Sequence, residues 1–261
     1  MRFLRVFVYL IVVLMLLPTL ISLPVALTAT SGIRFPPVGL STRWFEAIFA
    51  DGVLLASIWR SFVLAVIASV VAVVISVPCA FALERSRGKW RNSVETFITG
   101  PRMIPQIVFV LALLVYFERL GIAETFVGLV IAHLVISIPF AFRTVMVSVA
   151  SVDRRLEWSS AILGANPVST FFRIVVPQIK TGMIAAFIFT FILSFNNVTM
   201  ALFLSGIGER TLPVEMFQRM YVGGMTPVIP AISFLLAIVG IIAFIILDRT
   251  IGVYKYLAGR D

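Results

Sequence analysis

With 261 residues, 61% of them hydrophobic and only 13% charged, and a mean hydropathy of +1.10, the chain is far more apolar than the roughly 45–50% of soluble domains, which excludes water as its main solvent. Its formal charge of +9 would suit nucleic acid, but the Lys and Arg do not gather into one basic face and no nucleic-acid-binding motif accompanies them, so no nucleic-acid partner is expected. A single cysteine, Cys79, sits beside Pro78 in an apolar run; it allows no intrachain disulfide and reads as a small buried residue.

Nearly all of the chain falls into apolar blocks of about 20 residues, each able to cross a ~30 Å hydrocarbon core at ~1.5 Å per residue. The fold class is therefore all-α integral membrane, a single domain over residues 1–261 with about six transmembrane helices. The first span, Val6–Ala29, follows Arg2 and Arg5 as a signal peptide would, yet it exceeds the roughly 7–15 residues of a signal core and is kept as a helix. Further spans are expected near Ser57–Leu83, Met103–Phe117, Thr125–Val147, Thr181–Phe203 and Val228–Leu247. The third contains Pro105 between Arg102 and Glu118, and is short, broken or embedded from Phe97 onward.

Alternating the loops between two sides places Arg2, Arg5, Arg85, Arg87, Lys89, Arg91, Arg143, Arg154, Arg155, Arg173, Lys180, Arg249, Lys255 and Arg260 on one. Arg34, Arg43, Arg60, Arg119, Arg210 and Arg219 fall on the other. The richer side is expected in the cytoplasm, with both termini inside and Thr30–Trp59 and Leu204–Pro227 outside. Arg102 lies too near a boundary to count. The outer segments combine turn formers with Trp44, Trp59 and Tyr221, and predict interfacial helices at Arg43–Phe49 and Pro213–Met220.

The most informative stretch is the polar interruption at residues 151–180, between the fourth and fifth spans, far longer than antiparallel helices require. Asp153 caps an expected helix through Leu156, Ser160 and Leu163, and Gly164-Ala165-Asn166-Pro167 has the composition of a helix end and turn. A second helix starts at Pro167, sets Val168, Phe171, Phe172 and Val175 at spacings of three and four, and closes at Pro177. Two short helices joined in this way form a knob able to enter a groove on another protein; an ordinary interfacial loop is the alternative.

Leu156 to Ala165, continuing to Ile174-Val175-Val176-Pro177, resembles the EAA loop of ATP-binding-cassette (ABC) importer permeases, which reads Glu-Ala-Ala, three residues, Gly, nine residues, Ile-x-Leu-Pro. Gly164, Ile174 and Pro177 fall on the pattern and Val176 replaces its Leu. Trp158, Ser159 and Ser160 stand at the Glu-Ala-Ala positions, with Glu157 one place earlier. The resemblance extends to Glu84–Lys89, Ile138-Pro139-Phe140, Ser194-Phe195-Asn196-Asn197 and Thr211-Leu212-Pro213-Val214. In that combination it is closest to the second, shorter permease of spermidine/putrescine importers, within a wider subfamily that also carries ferric iron, thiamine, opines and phosphonates.

The resemblance implies a permease in a bacterial inner membrane that passes a small solute, polyamine-like or otherwise polar, from a periplasmic solute-binding protein into the cytoplasm. It implies a second permease, a different chain, and a dimer of P-loop ATPases that binds ATP and Mg; this chain has no Gly-x-x-x-x-Gly-Lys-Ser/Thr loop and holds no cofactor. The coupling contacts carried over are Glu157, Ser160, Ala161, Gly164, Ala165, Asn166, Pro167, Ile174 and Pro177.

Asn196 and Asn197 lie mid-way along span five, where an unsatisfied amide costs several kcal/mol, so with Ser194 and Thr199 they line a translocation path or bond a neighbouring helix. Related polyamine permeases carry acidic residues near this position, and their absence here argues against a cationic cargo or moves its recognition elsewhere. His133, alone in span four, suits helix packing better than metal, and Pro139 suits a gate or a static kink. Asp248 and Arg249 mark the end of span six. An intramembrane enzyme lacks both paired carboxylates within the spans and a catalytic motif, while a self-sufficient secondary transporter remains the rival reading despite the lack of inverted repeats.

Overall fold

The computed structural model describes residues 2–86, 88, 90–206 and 208–251. Among them the regular elements are all helical: α1 (Arg2–Ala26), α2 (Arg43–Ala50), α3 (Gly52–Arg85), α4 (Trp90–Thr99), α5 (Gln106–Leu120), α6 (Phe126–Ser151) and α7 (Arg154–Ile162). They continue as α8 (Pro167–Thr170), α9 (Val176–Gln178), α10 (Lys180–Phe195), α11 (Val198–Leu204), α12 (Leu212–Tyr221) and α13 (Val228–Ile251). A 3-10 turn spans Gly100–Met103 and a π-helical turn Phe171–Val175. Of the basic residues used for topology, Arg87, Lys89, Lys255 and Arg260 lie outside the described residues.

Four helices, Leu4–Ala26, Gly52–Arg85, Phe126–Ser151 and Val228–Ile246, are long and apolar enough to cross a bilayer alone, and the number is up to six if each of two bent helix pairs is one span. About six spans were expected, and the short helices α2 and α12 form where the aromatic and turn residues put them. Several boundaries differ for identifiable reasons. Helix α1 stops at Ala26 instead of Ala29, because the next residues fold back: Ala29 donates to the Val38 carbonyl and Ser41 to that of Leu27. Helix α3 starts five residues early, because the Asp51 carboxylate accepts the Leu54 N–H at 3.0 Å and opens the helix at Gly52.

The third span begins at Gln106, after the expected Met103, and runs to Leu120. Pro101 and Pro105 hold Gly100–Met103 out of the helix, so α4 meets α5 at 100°. With 15 residues, α5 is ~22 Å long and falls short of a ~30 Å core. The fifth span is broken rather than continuous, with α10 ending at Phe195 and α11 beginning at Val198. The two asparagines therefore do not sit within an unbroken helix; they make the break. Asn197 accepts the Met200 N–H at 2.8 Å and caps α11, and the Asn196 amide donates to the Ile192 carbonyl at 3.1 Å.

The described helices form two compact units. In Ile58–Val214, α3 turns a stripe of small residues inward, with Ser61, Ala65, Ala68, Ala72, Ser76 and Ala80 all essentially inaccessible. Such a stripe lets helices approach closely where lipid gives no hydrophobic drive. One apolar cluster joins Ala72, Val77 and Leu83 to Phe142, Val145 and Val149 of α6 and to Val175 and Ile179; a second joins Leu64, Val110, Phe117, Leu129, Met200 and Leu204. A Cβ on Gly128 would collide with the Ile122 carbonyl, so the tight entry into α6 requires glycine.

The other unit comprises residues up to Ser57 and Glu215–Thr250. Here the buried Thr28 receives the Val38 N–H at 3.3 Å on its hydroxyl, and the Trp44 indole donates to its carbonyl at 2.9 Å. Arg219 pairs with Asp51 at 2.7 Å and with Glu215 at 2.8 Å, and its hydrogen bond holds the Asp51 carboxyl below its usual range. Helix α1 exposes Leu, Ile and Val along most of its length, and α13 exposes Ile, Val and Phe over its stretch Ile238–Ile246, surfaces suited to lipid.

Candidate functional site

The segment between α6 and α10 is built as a capped elbow. Asp153 accepts the Arg155 N–H at 2.9 Å and starts α7. At the other end Gly164 takes φ +82, its N–H bonds the Ala161 carbonyl at 3.0 Å, and the Ala165 N–H reaches back to Ser160 at 3.1 Å. That pair of bonds is a Schellman stop, which needs a left-handed residue and so glycine. One residue later Asn166 accepts the Ser169 N–H at 2.7 Å and Pro167 occupies the first turn of α8. The two helices are tied across the elbow by the Ser160 and Thr170 hydroxyls, buried and 2.5 Å apart.

Beyond Thr170 the second helix departs from expectation. It widens into the π turn Phe171–Val175, and Pro177 lies inside α9 instead of closing the helix; the chain turns at Ile179 and enters α10 at 69°. Ile174 is half-buried and Pro177 exposed, whereas Val175 and Ile179 are fully buried against the cluster with α3 and α6. The π turn directs Phe171 onto Phe81 of α3, with centroids 5.1 Å apart.

Glu157 does not project freely. It forms a two-pronged ion pair with Arg85, one turn beyond Phe81 on α3, with the Arg85 Nε to Glu157 Oε2 bond at 3.2 Å and both side chains mostly covered. Two contacts thus fasten the elbow to the last turn of α3. Nearby, Glu84 pairs with Arg91 at 2.8 Å, its carbonyl accepts from Arg154 at 2.7 Å, and Glu95 on α4 pairs with Arg143 on α6 at 2.6 Å.

What the elbow presents outward is apolar. Ile162 and Leu163 are 85% and 87% exposed at its tip, flanked by Trp158, Val168 and Phe172, while Ala161, Gly164, Asn166 and Pro167 complete the exposed rim. Sequence reasoning singled out the family-pattern residues and missed Ile162 and Leu163. The available signal was two consecutive apolar side chains directly before a helix-ending glycine in a polar loop. The partnership of Glu157 with Arg85, 72 positions apart, carried no local signal.

The intramembrane candidates separate into different roles. Ser194 is buried and hydrogen-bonds His133 Nδ1 at 2.8 Å, which ties α10 to α6. Asn196 is exposed, and Asn197 and Thr199 are half-exposed. Asn197 lines a cavity of about 290 Å³ with Arg102 and Gln106, beside the bend between α4 and α5; Phe140 next to Pro139 forms part of its wall. Among the described residues no group of three or more His, Cys, Asp and Glu could hold a metal ion.

Comparison with known proteins adds the family. The model of the binding-protein-dependent transport system inner membrane component matches residues 72–253. The putrescine transport system permease protein PotI of Escherichia coli (strain K12) is 29% identical over 215 residues, covering 79% of this chain and 76% of the relative. The spermidine/putrescine transport system permease protein PotC of Haemophilus influenzae is 26% identical over 213 residues, covering 82% of each. The structure of a bacterial ABC transporter involved in the import of the acidic polysaccharide alginate has the same fold, with a TM-score of 0.74 at 17% identity over 94% of each chain. With the family matched over most of its length, the chain belongs to the binding-protein-dependent transport system inner membrane components, the permease subunits of ABC importers.

Proposed function

We propose that the chain supplies one half of the translocation path of an inner-membrane importer, as a single permease domain with both termini in the cytoplasm. A second, different permease completes the path. Two partner ATPases bind ATP and Mg and hydrolyse the nucleotide, and a periplasmic solute-binding protein docks over the outer segments and delivers a small polar solute.

The observation that carries this reading is the elbow: an exposed apolar tip at Ile162 and Leu163 on a capped, cross-linked support. Such a tip left in water has no stabilising use, whereas in an ATPase cleft it gains roughly 25 cal/mol per Å² of buried apolar surface. The support is fastened to α3 through Arg85–Glu157 and Phe81–Phe171, so nucleotide-driven closure of the ATPases moves α3, α6 and α10 together as a rigid body. Glu157 acts as part of that fastening, and the contacts to the ATPase come from the rim Ala161–Val168.

Affinity purification in mild detergent tests the assembly. Recovery of a P-loop ATPase and a second permease, with ATP hydrolysis by the purified complex, is the expected result. Recovery of the chain alone, transporting down an ion gradient in liposomes, would instead make it a secondary transporter.

A further inference from the structure

The cavity beside the α4–α5 bend has a chemical character that the elbow does not explain. Its polar lining is Arg102, Gln106 and Asn197, set among Phe109, Phe140 and Leu193, and its volume is about 290 Å³. That is near the lower end of small-molecule sites, and about ten waters' worth of space. Phe140 stands near the middle of α6 and Leu193 close to the end of α10, so the cavity opens where both chain breaks meet: the proline-kept turn Gly100–Met103 and the Asn196–Asn197 interruption. The Arg102 guanidinium carbon lies over the Phe140 ring, 4.1 Å from its centroid, a cation–π contact that holds the charge at the cavity. Among the described residues no Asp or Glu lines the cavity and Arg102 makes no ion pair.

Arg102 and Gln106 are both exposed on this chain, so an anion can reach their N–H groups. From this cavity we infer that the solute carried is a small oxyanion, a carboxylate or phosphonate, whose charged end is held by Arg102 with the Gln106 and Asn197 amides while Phe109 and Leu193 cover its carbon skeleton. The inference rests on the importer reading and gives it a cargo class. A diammonium compound such as putrescine would set like charge against Arg102 without compensation. Planar guanidinium donors match a carboxylate two-prongedly, which an ammonium at the same place would not.

The test titrates the purified complete importer, in phosphatidylcholine nanodiscs, with succinate, methylphosphonate and putrescine by calorimetry. Wild type should bind at least one of the two anions, Arg102→Gln should weaken that binding at least about tenfold, Arg102→Lys less so, and putrescine should not compete. Equal anion affinity in wild type and R102Q, binding of neither anion, or displacement by putrescine would each overturn the assignment. A lipid phosphate offers the same oxyanion, so the titration is repeated with phosphatidylglycerol in the disc. Retention of that lipid by wild type but not R102Q, with loss of anion binding, would assign the cavity to lipid and overturn the cargo class. ATP hydrolysis by the same preparations separates the two readings: hydrolysis without anion binding removes only the cargo class, whereas its absence removes the importer reading.

Discussion

Gly164 offers a perturbation whose size follows from two observations. Its φ is +82, and among the described residues beyond its chain neighbours no atom lies within 4 Å of the place a Cβ would occupy. Substitution is therefore strained by the backbone alone, by about 1–2 kcal/mol for an ordinary L residue, and by less for Asn, which tolerates the left-handed region. A cost of that size shifts the ratio of formed to frayed elbow by a factor of about 5–30. In proteoliposomes carrying the whole importer, Gly164→Ala should raise the ATP consumed per solute imported severalfold, and Gly164→Asn should raise it less. Gly164→Trp has the same backbone cost but projects an indole from an exposed rim, where among the described residues a Cβ has open space. Any uncoupling by Trp beyond that of Ala thus measures a partner surface around the elbow, with membrane insertion unchanged. The reasoning is refuted if Ala matches wild type, if Asn is worse than Ala, or if Trp equals Ala.

A double-mutant cycle of Arg85→Met and Glu157→Gln, read by denaturant unfolding in detergent, should give a coupling of about 1–3 kcal/mol, because both groups are largely covered and each single variant strands the other; additive effects would show the pair is not a fastening. Ser194→Ala leaves His133 Nδ1 without its partner and should reduce recovery of assembled complex at a cost of about 1–3 kcal/mol, whereas Asn196→Leu, at an exposed position, should alter uptake more than assembly; the opposite pattern would exchange their roles. The Asp51 carboxyl is depressed by the Arg219 hydrogen bond from its reference of 3.8, so its stabilisation is complete above the unfolded value and is lost as pH falls through the lower folded value. The protection of α12 amides against hydrogen exchange, relative to the intrinsic rate at each pH, should therefore be flat from about pH 5 to 8 and fall below about pH 4 in wild type, while Asp51→Asn is less protected throughout and lacks the acid step; an acid step surviving in that variant would assign it to another group.

The sequence alone determined the solvent and the element type. Apolar blocks of about 20 residues can satisfy their backbone in lipid only as helices, so the membrane class and about six spans followed from periodicity and length. Local chemistry also specified the elbow: Asp153, Gly164, Asn166 and Pro167 act on backbone within five residues of themselves, and each took the place its side chain dictates. Tertiary structure decided what depends on distant partners. Periodicity cannot see that Asn196 and Asn197 serve backbone groups at a break; read in an unbroken helix, the same amides offered either a path lining or a bond to a neighbouring helix. Ser194 found His133 across two helices, and Glu157, a natural candidate for a partner protein, was claimed by Arg85. Arg102, set aside as a boundary charge, came to rest on Phe140 because two prolines turned the chain there, and such a bend is fixed by packing of segments far apart in sequence, where no local pattern records it.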